Sequence, residues 1–330
     1  MASECGSALT QEFDQKMHIA GVFILMGCSF CGTMLPILGK KYTSFKYSDL
    51  MFSCAKLFGS GIILATALVH MLSPASENLS NECLPPVFSE DGYPAFAPAI
   101  CLGGILFVHF IQFCISKEMR KLHDHLSHAN DTEMKSPTPD LEKNATSAGQ
   151  EHHHPHHHHD GHDHAYGLIL KKERQIGAYV LELGVASHSV IIGIALGVAR
   201  EEFKTLLAAL VFHQFFEGMA LSTVVMESDF KKRAASIVMV AFYTLTTPIG
   251  MAVGIGISSS FNENSVSNLV TQGVLDALSA GILLYDGLVN VVTPHFKTET
   301  FMKQPTWQQL IQLACLWLGA VVMALIGKWA

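Results

Sequence analysis

The stretch VASHSVIIGIALGVAREEFKTLLAALVFHQFFEG, residues 185–218, decides how this chain folds. Two apolar segments flank a short charged turn, Ala199 to Thr205, so they read as antiparallel neighbouring helices. Each carries a histidine in the same frame: His188 and Gly193 in the first, His213 and Gly218 in the second, with four residues between. On a helix, residues four apart share a face. His213 and Glu217 can therefore close on one ion, with Gln214 a step round the turn. His188, with Ser189 beside it, can face them from the neighbouring helix at comparable depth. Gly193, Gly197 and Gly218 let the two backbones approach. Imidazole and carboxylate together suit a divalent transition metal. The competing reading is that these are satisfied polar groups knitting helices together. Two histidines in matching frames beside a carboxylate favour the ion, because polar groups within membrane spans are functional by default.

The chain has 330 residues, only 15% of them charged, and a mean hydropathy of +0.32. That excludes an ordinary soluble domain. Uncharged runs near the bilayer-spanning length recur throughout, so the fold class is an all-α polytopic membrane protein. Basic residues sit in short loops beside helix ends, which excludes a nucleic-acid partner and leaves the lipid bilayer as the surroundings. Most of the eight cysteines lie in apolar runs and read as small buried hydrophobes. Cys28 and Cys31 form a C-x-x-C inside the first span, a weak signal by itself. Cys5 and Cys83 share the outer side in the topology below, which permits a disulfide.

Eight spans are expected. Span one runs from Met17 to Leu38, too long for a signal peptide and without its basic start or cleavage site. Span two, Met51 to Ser73, holds His70 near its far end, either a ligand on the access path or an interfacial histidine. The loop to Phe96 carries Glu77, Glu82, Glu90 and Asp91, and the sequon Asn78-Leu79-Ser80. Span three covers Ala97 to Ser116, with His109 inside. Span four covers Gln175 to Val198, span five Leu206 to Met226, and span six Ala234 to Ile257, interrupted at Thr246-Thr247-Pro248. Span seven, Val266 to Val292, contains Asp276, Asp286 and Asn290. Asp286 and Asn290 stand four apart, as an inner-side relay or as interface polars. Span eight runs from Trp307 to Ile326, and Trp329 beyond it suits an interfacial belt.

Three regions follow: 1–116 with spans one to three, 117–174 as a disordered cytosolic loop, and 175–330 with spans four to eight. The loop holds 12 of the 18 histidines: His123, His125, His128, then His152, His153, His154, His156, His157, His158, His159, His162 and His164. Such a tract binds borderline divalent metals through fluctuating ligand sets. With both termini outside, inner loops carry 16 of the 21 lysines and arginines, which fixes the orientation.

With these residues in hand, the chain resembles the ZIP (Zrt/Irt-like protein) family of divalent metal transporters, and most closely the fungal and plant zinc and iron importers. His188-Ser189 with Gly193 and Gly197 is similar to the family's span-four signature. His213-Gln214 with Glu217-Gly218 is similar to its span-five motif. The resemblance implies a bundle of inverted repeats, spans one to three against six to eight, around spans four and five. It further implies homodimers and alternating access with an elevator-like shift. The implied transport site is His188, His213 and Glu217, with Ser189 and Gln214 as weaker ligands. Bacterial members have carboxylates where this chain has Ile192, Gln214 and Thr247, so one ion rather than two is expected. Pro74 replaces an acidic residue common in plant relatives, while Glu77 keeps a carboxylate nearby.

The expected function is import of Zn²⁺, with Fe²⁺ second, across the plasma membrane or an intracellular one. No prosthetic group is expected. Two imidazoles and one carboxylate hold a cation moderately, as a mobile ion requires. Uptake should fall as pH drops below about 6.5, since only neutral imidazole ligates. A membrane-embedded metalloenzyme is the first alternative, but no H-E-x-x-H is present. A metal-sensing receptor is the second, in which the loop acts and the spans anchor it.

Overall fold

The computed structural model describes residues 13–42, 45–88, 92–133, 160–200, 203–228, 230, 233–262 and 264–328. Among them there is no strand, and eight helices are long and apolar enough to cross a membrane. These spanning segments are α1 (Gln15–Gly39), α2 (Asp49–Leu79), α3 (Phe96–Glu118), α4 (Arg174–Val198), α5 (Phe203–Glu227), α6 (Ala234–Ile257), α7 (Val266–Lys297) and α8 (Thr306–Ile326). The expected all-α, eight-span class is what the chain adopts. The described residues fall into two compact units, drawn from Met1–His109 with Gln175–Ala330 and from Phe110–Arg174.

In the first unit, α2 and α7 overrun their predicted ends in the same way. Each contains one wide π turn, Thr66–Leu72 in α2 and Asp286–Val292 in α7. Each π turn runs into a short α segment with proline in its first turn, Ser73–Leu79 and Thr293–Lys297. Proline offers no N–H to the carbonyl four residues back, and its ring crowds that carbonyl. Here the crowded carbonyls belong to His70 and Asn290. Widening the turn upstream relieves the clash, so the helix continues past Ser73, the expected end of span two. The segments Leu68-Val69-His70-Met71-Leu72-Ser73-Pro74 and Leu288-Val289-Asn290-Val291-Val292-Thr293-Pro294 align without a gap.

The matching extends to packing. A Cβ on Gly61 of α2 would collide with the Leu316 carbonyl of α8, and one on Gly319 with the Phe58 carbonyl of α2. In the other half, a Cβ on Gly281 of α7 would collide with the Cys101 carbonyl of α3, and one on Gly104 with the Leu278 carbonyl of α7. Gly61 and Gly281 hold the same place in the aligned segments, as do Phe58 and Leu278. The last span of each half therefore seats its backbone against the middle span of the other half: α3 on α7, and α8 on α2. The central helices are held likewise, Gly32 of α1 against the Phe215 carbonyl of α5, and Gly250 of α6 against the Val190 carbonyl of α4.

Three expectations change. Pro248 does not interrupt α6, which is continuous from Arg233 to Ile257. Pro36 sits inside the first helix in the same manner. Asn78 lies in the Ser73–Leu79 helix and its amide reaches Gln272 Oε1 at 3.5 Å, so the sequon is not on an open loop. In the second unit, the stretch expected to be disordered from Lys117 is helical to Glu133, and a second helix begins at Asp160. Strong helix formers from Lys117 to Leu122, with Glu118 paired to Lys121 at 2.7 Å, carry the helix on from Phe96, and residues 117–133 hold no proline or glycine to stop it. His152 to His159 and Trp329 lie outside the described residues. Cys28, Cys31, Cys54, Cys101, Cys114 and Cys315 are free thiols, whereas Cys83 is disulfide-bonded. Cys5 also lies outside the described residues.

Adjacent glycines give a matched test of the backbone seams. A Cβ on Gly104 would stand 2.6 Å from the Leu278 carbonyl oxygen, whereas one on Gly103 would meet nothing within 4 Å. Gly104→Ala is expected to lower the thermal midpoint in detergent, overpacking costing about 1–3 kcal/mol. Gly103→Ala should hold or raise it, because alanine is the better helix former by up to ~1 kcal/mol.

Candidate metal centre

The helix period puts His213 and Glu217 on one face of α5, where His213 Nε2 lies 3.5 Å from Glu217 Oε2. Both are about 99% buried. His188 comes from α4 and His70 from α2. The ring centres of His188 and His213 are 5.7 Å apart, and those of His70 and His213 5.1 Å. Two imidazoles sharing one tetrahedral zinc at ~2.0–2.1 Å place their ring centres about 5 Å apart. Both pairs stand near that spacing, with His213 common to the two.

The donor atoms here have little else to bind. His70 and His213 leave both ring nitrogens without a hydrogen bond among the described residues. Nε2 of His188, Oγ of Ser189, Oε1 of Gln214 and both carboxylate oxygens of Glu217 are likewise unbonded. Each such buried group costs about 1–3 kcal/mol. The neighbours are arranged to keep them free. Tyr243 stands beside Glu217 but donates its hydroxyl proton to the Gln214 carbonyl oxygen at 2.7 Å. That hydroxyl has no second proton for the carboxylate. Gln214 donates Nε2 to Thr247 Oγ1 on α6 at 2.7 Å, which leaves its amide oxygen buried and unbonded. His188 Nδ1 donates to Asp276 Oδ1 on α7 at 3.2 Å.

As placed, no group of three His, Cys, Asp or Glu side chains among the described residues is positioned to hold a metal ion. Two donors on one tetrahedral ion at ~2.0–2.1 Å stand about 3.3 Å apart, close to the 3.5 Å between His213 Nε2 and Glu217 Oε2, so what is missing among the described residues is a third donor beside this pair.

A cavity of about 340 Å³ reaches this cluster from one end of the bundle. Ser73, Glu77, Asn78 and Gln272 line its outer part, and His70, His188, His213 and Asp276 its inner part. At the opposite ends of α2 and α5, Lys56 Nζ and Glu227 Oε2 form an ion pair at 2.6 Å. The structure thus brings together His188, His213 and Glu217 and adds His70 to the cluster, while Gln214 and Ser189 are buried next to His213 and His188 in the chain. Asp286 and Asn290 are elsewhere. They are hydrogen-bonded to each other within the π turn of α7, against Gly177 of α4. Asp286 lies ten residues beyond Asp276, roughly 15 Å along the helix. His109, undecided from sequence, shares a 3.0 Å hydrogen bond with the Tyr285 hydroxyl. Asp276, Tyr243 and Thr247 carry no site role in the sequence reading. The one signal was a lone acid, Asp276, within an apolar run.

Thr247→Val should leave the buried Gln214 amide donor unpaired and destabilise the protein by about 1–3 kcal/mol. Thr247→Ser should restore the wild-type thermal midpoint.

Comparison with known proteins covers nearly the whole chain. The family model described as ZIP Zinc transporter matches residues 15–327. "Zinc-regulated transporter 1" of Schizosaccharomyces pombe is 33% identical, over 99% of this chain and 89% of that protein. "Zinc transporter 3" of Arabidopsis thaliana is 34% identical, over 96% and 85%. "Fe(2+) transport protein 3, chloroplastic" of the same plant is 33% identical, over 91% and 82%.

Proposed function

The chain belongs to the ZIP zinc transporter family, and from that membership we propose that it imports Zn²⁺ into the cytosol through the cluster of His188, His213 and Glu217. It is a membrane transporter of divalent metal ions and not an enzyme. The observation that carries the finer reading is the set of buried, unbonded donors on three helices at bis-imidazole spacing. A carboxylate and neutral imidazoles, backed by the weak oxygens of Ser189 and Gln214, bind one ion and release it. Zn²⁺ is preferred because the intrinsic affinity of such a site favours it over Fe²⁺. Fe²⁺ is the second substrate, in keeping with the relative named as an Fe(2+) transport protein.

The ion enters by the cavity past Glu77, Ser73 and His70. Release to the other side follows alternating access, in which the end closed by Lys56 and Glu227 opens. Asp286 and Asn290 lie beyond the cluster from the cavity and relay the ion inward, toward the cytosol. The distribution of lysine and arginine supports both termini outside and a cytosolic histidine loop, which receives the ion or senses it. The protein acts as a homodimer in the plasma membrane.

The test is metal accumulation by vesicles containing the purified protein. His188→Ala, His213→Ala and Glu217→Ala should each cut initial zinc uptake at least tenfold while the variants stay folded. Binding without accumulation in the wild type would indicate a receptor instead. Uptake should also fall as external pH is lowered through about 6.5, because protons compete for the imidazole nitrogens. A flat or rising profile between pH 6 and 5 contradicts ligation by neutral histidine.

A further inference from the structure

We propose that Asp276 is a positioning residue that sets the metal affinity of His188. The inference rests on the reading of the His188–His213–Glu217 cluster as a metal site. Asp276 and His188 are both buried, and the carboxylate faces the imidazole at 3.2 Å through Oδ1 and Nδ1. An ionised carboxylate has no proton to give, so Nδ1 carries the hydrogen of the neutral ring. The lone pair is then on Nε2. That atom is buried and makes no hydrogen bond among the described residues. The His188 ring stands 5.7 Å from that of His213, and both line the cavity. A ligating histidine whose second nitrogen donates to a carboxylate is fixed in tautomer and orientation and is a stronger base. Asp276 supplies that partner from α7, a helix that contributes none of the His188–His213–Glu217 ligands.

The arrangement makes affinity depend on helix register. His188 travels with α4, and Asp276 belongs to α7. Close packing of Gly184 against Leu283 and Ile282 keeps these helices in step in the present arrangement. Any displacement of α4 along α7 by a turn removes the carboxylate from Nδ1. The site then binds the ion more weakly on the far side than on the cavity side.

Cobalt(II) binding to the purified full-length protein tests this without transport. The ligand-field absorption of bound Co²⁺ is titrated, and the His213→Ala variant serves as the blank for metal held by the loop histidines. Asp276→Ala should raise the dissociation constant about 10–100-fold. Asp276→Asn keeps an oxygen acceptor for Nδ1–H and should stay within a few-fold of wild type, with an unchanged spectrum. Thermal midpoints of both variants report whether they fold. Unchanged affinity in a folded Asp276→Ala overturns the proposal. So does an equal loss in the Ala and Asn variants, or a band shift in the Asn variant, either of which makes Asp276 a direct ligand. Should His188→Ala bind Co²⁺ as well as wild type, the site reading itself fails. That outcome is distinct from a failure confined to Asp276.

Discussion

Within a bilayer, an imidazole or carboxylate with no partner is among the costliest things a helix can carry. This chain holds several such groups in one place. Glu217 and His213 stand a turn apart on α5, and neither makes a hydrogen bond among the described residues. Nearby hydroxyl and amide protons are spent on other acceptors: Tyr243 on a backbone carbonyl, Gln214 on Thr247. The cost is tolerated because the surrounding helices cannot collapse onto the gap. Their separations are set elsewhere, by backbone seams in which glycine faces carbonyl.

Those seams come in matched pairs, and the matching explains the shape of the site. α2 and α7 occupy corresponding places in the two halves, each with a π turn before a proline. A π turn advances the helix face, so the polar residue at its fifth position points where a regular helix would not aim it. In α2 that residue is His70, which meets His213. In α7 it is Asn290, bonded to Asp286 and lying away from the histidine cluster. The same backbone geometry thus occurs twice, carrying Thr66 and His70 in α2 and Asp286 and Asn290 in α7.

Much of this was legible in the sequence, for reasons that can be named. Spans follow from apolar length, which the bilayer enforces strictly, and His213 with Glu217 follows from the helix period. What escaped depended on contacts between distant segments. Asp276 is 88 residues from His188, and no spacing rule links them. Thr247 read as the loss of a carboxylate, yet its hydroxyl orients Gln214. Pro248 read as a break because proline's local effect is disruptive, while the neighbouring helices absorbed it, and span two ran past its expected end at Ser73 through a widened turn before Pro74. The segment after Lys117 read as disordered from composition, although it holds no proline or glycine before Glu133 to end the helix that enters it from Phe96.

α2 and α5 run antiparallel like the rails of a ladder, with contacts at two rungs. One rung is the ring pair of His70 and His213, the other the ion pair of Lys56 and Glu227. Fourteen residues separate the rungs on each rail, so both lie in one register. A slip of α5 by one turn, about 5.4 Å, would bring Thr223 opposite Lys56 and Ala209 opposite His70. The lower rung would trade a carboxylate for a hydroxyl at the same moment that the upper traded an imidazole for a methyl group. The two rungs are therefore geared: neither can be undone by axial sliding while the other stays whole.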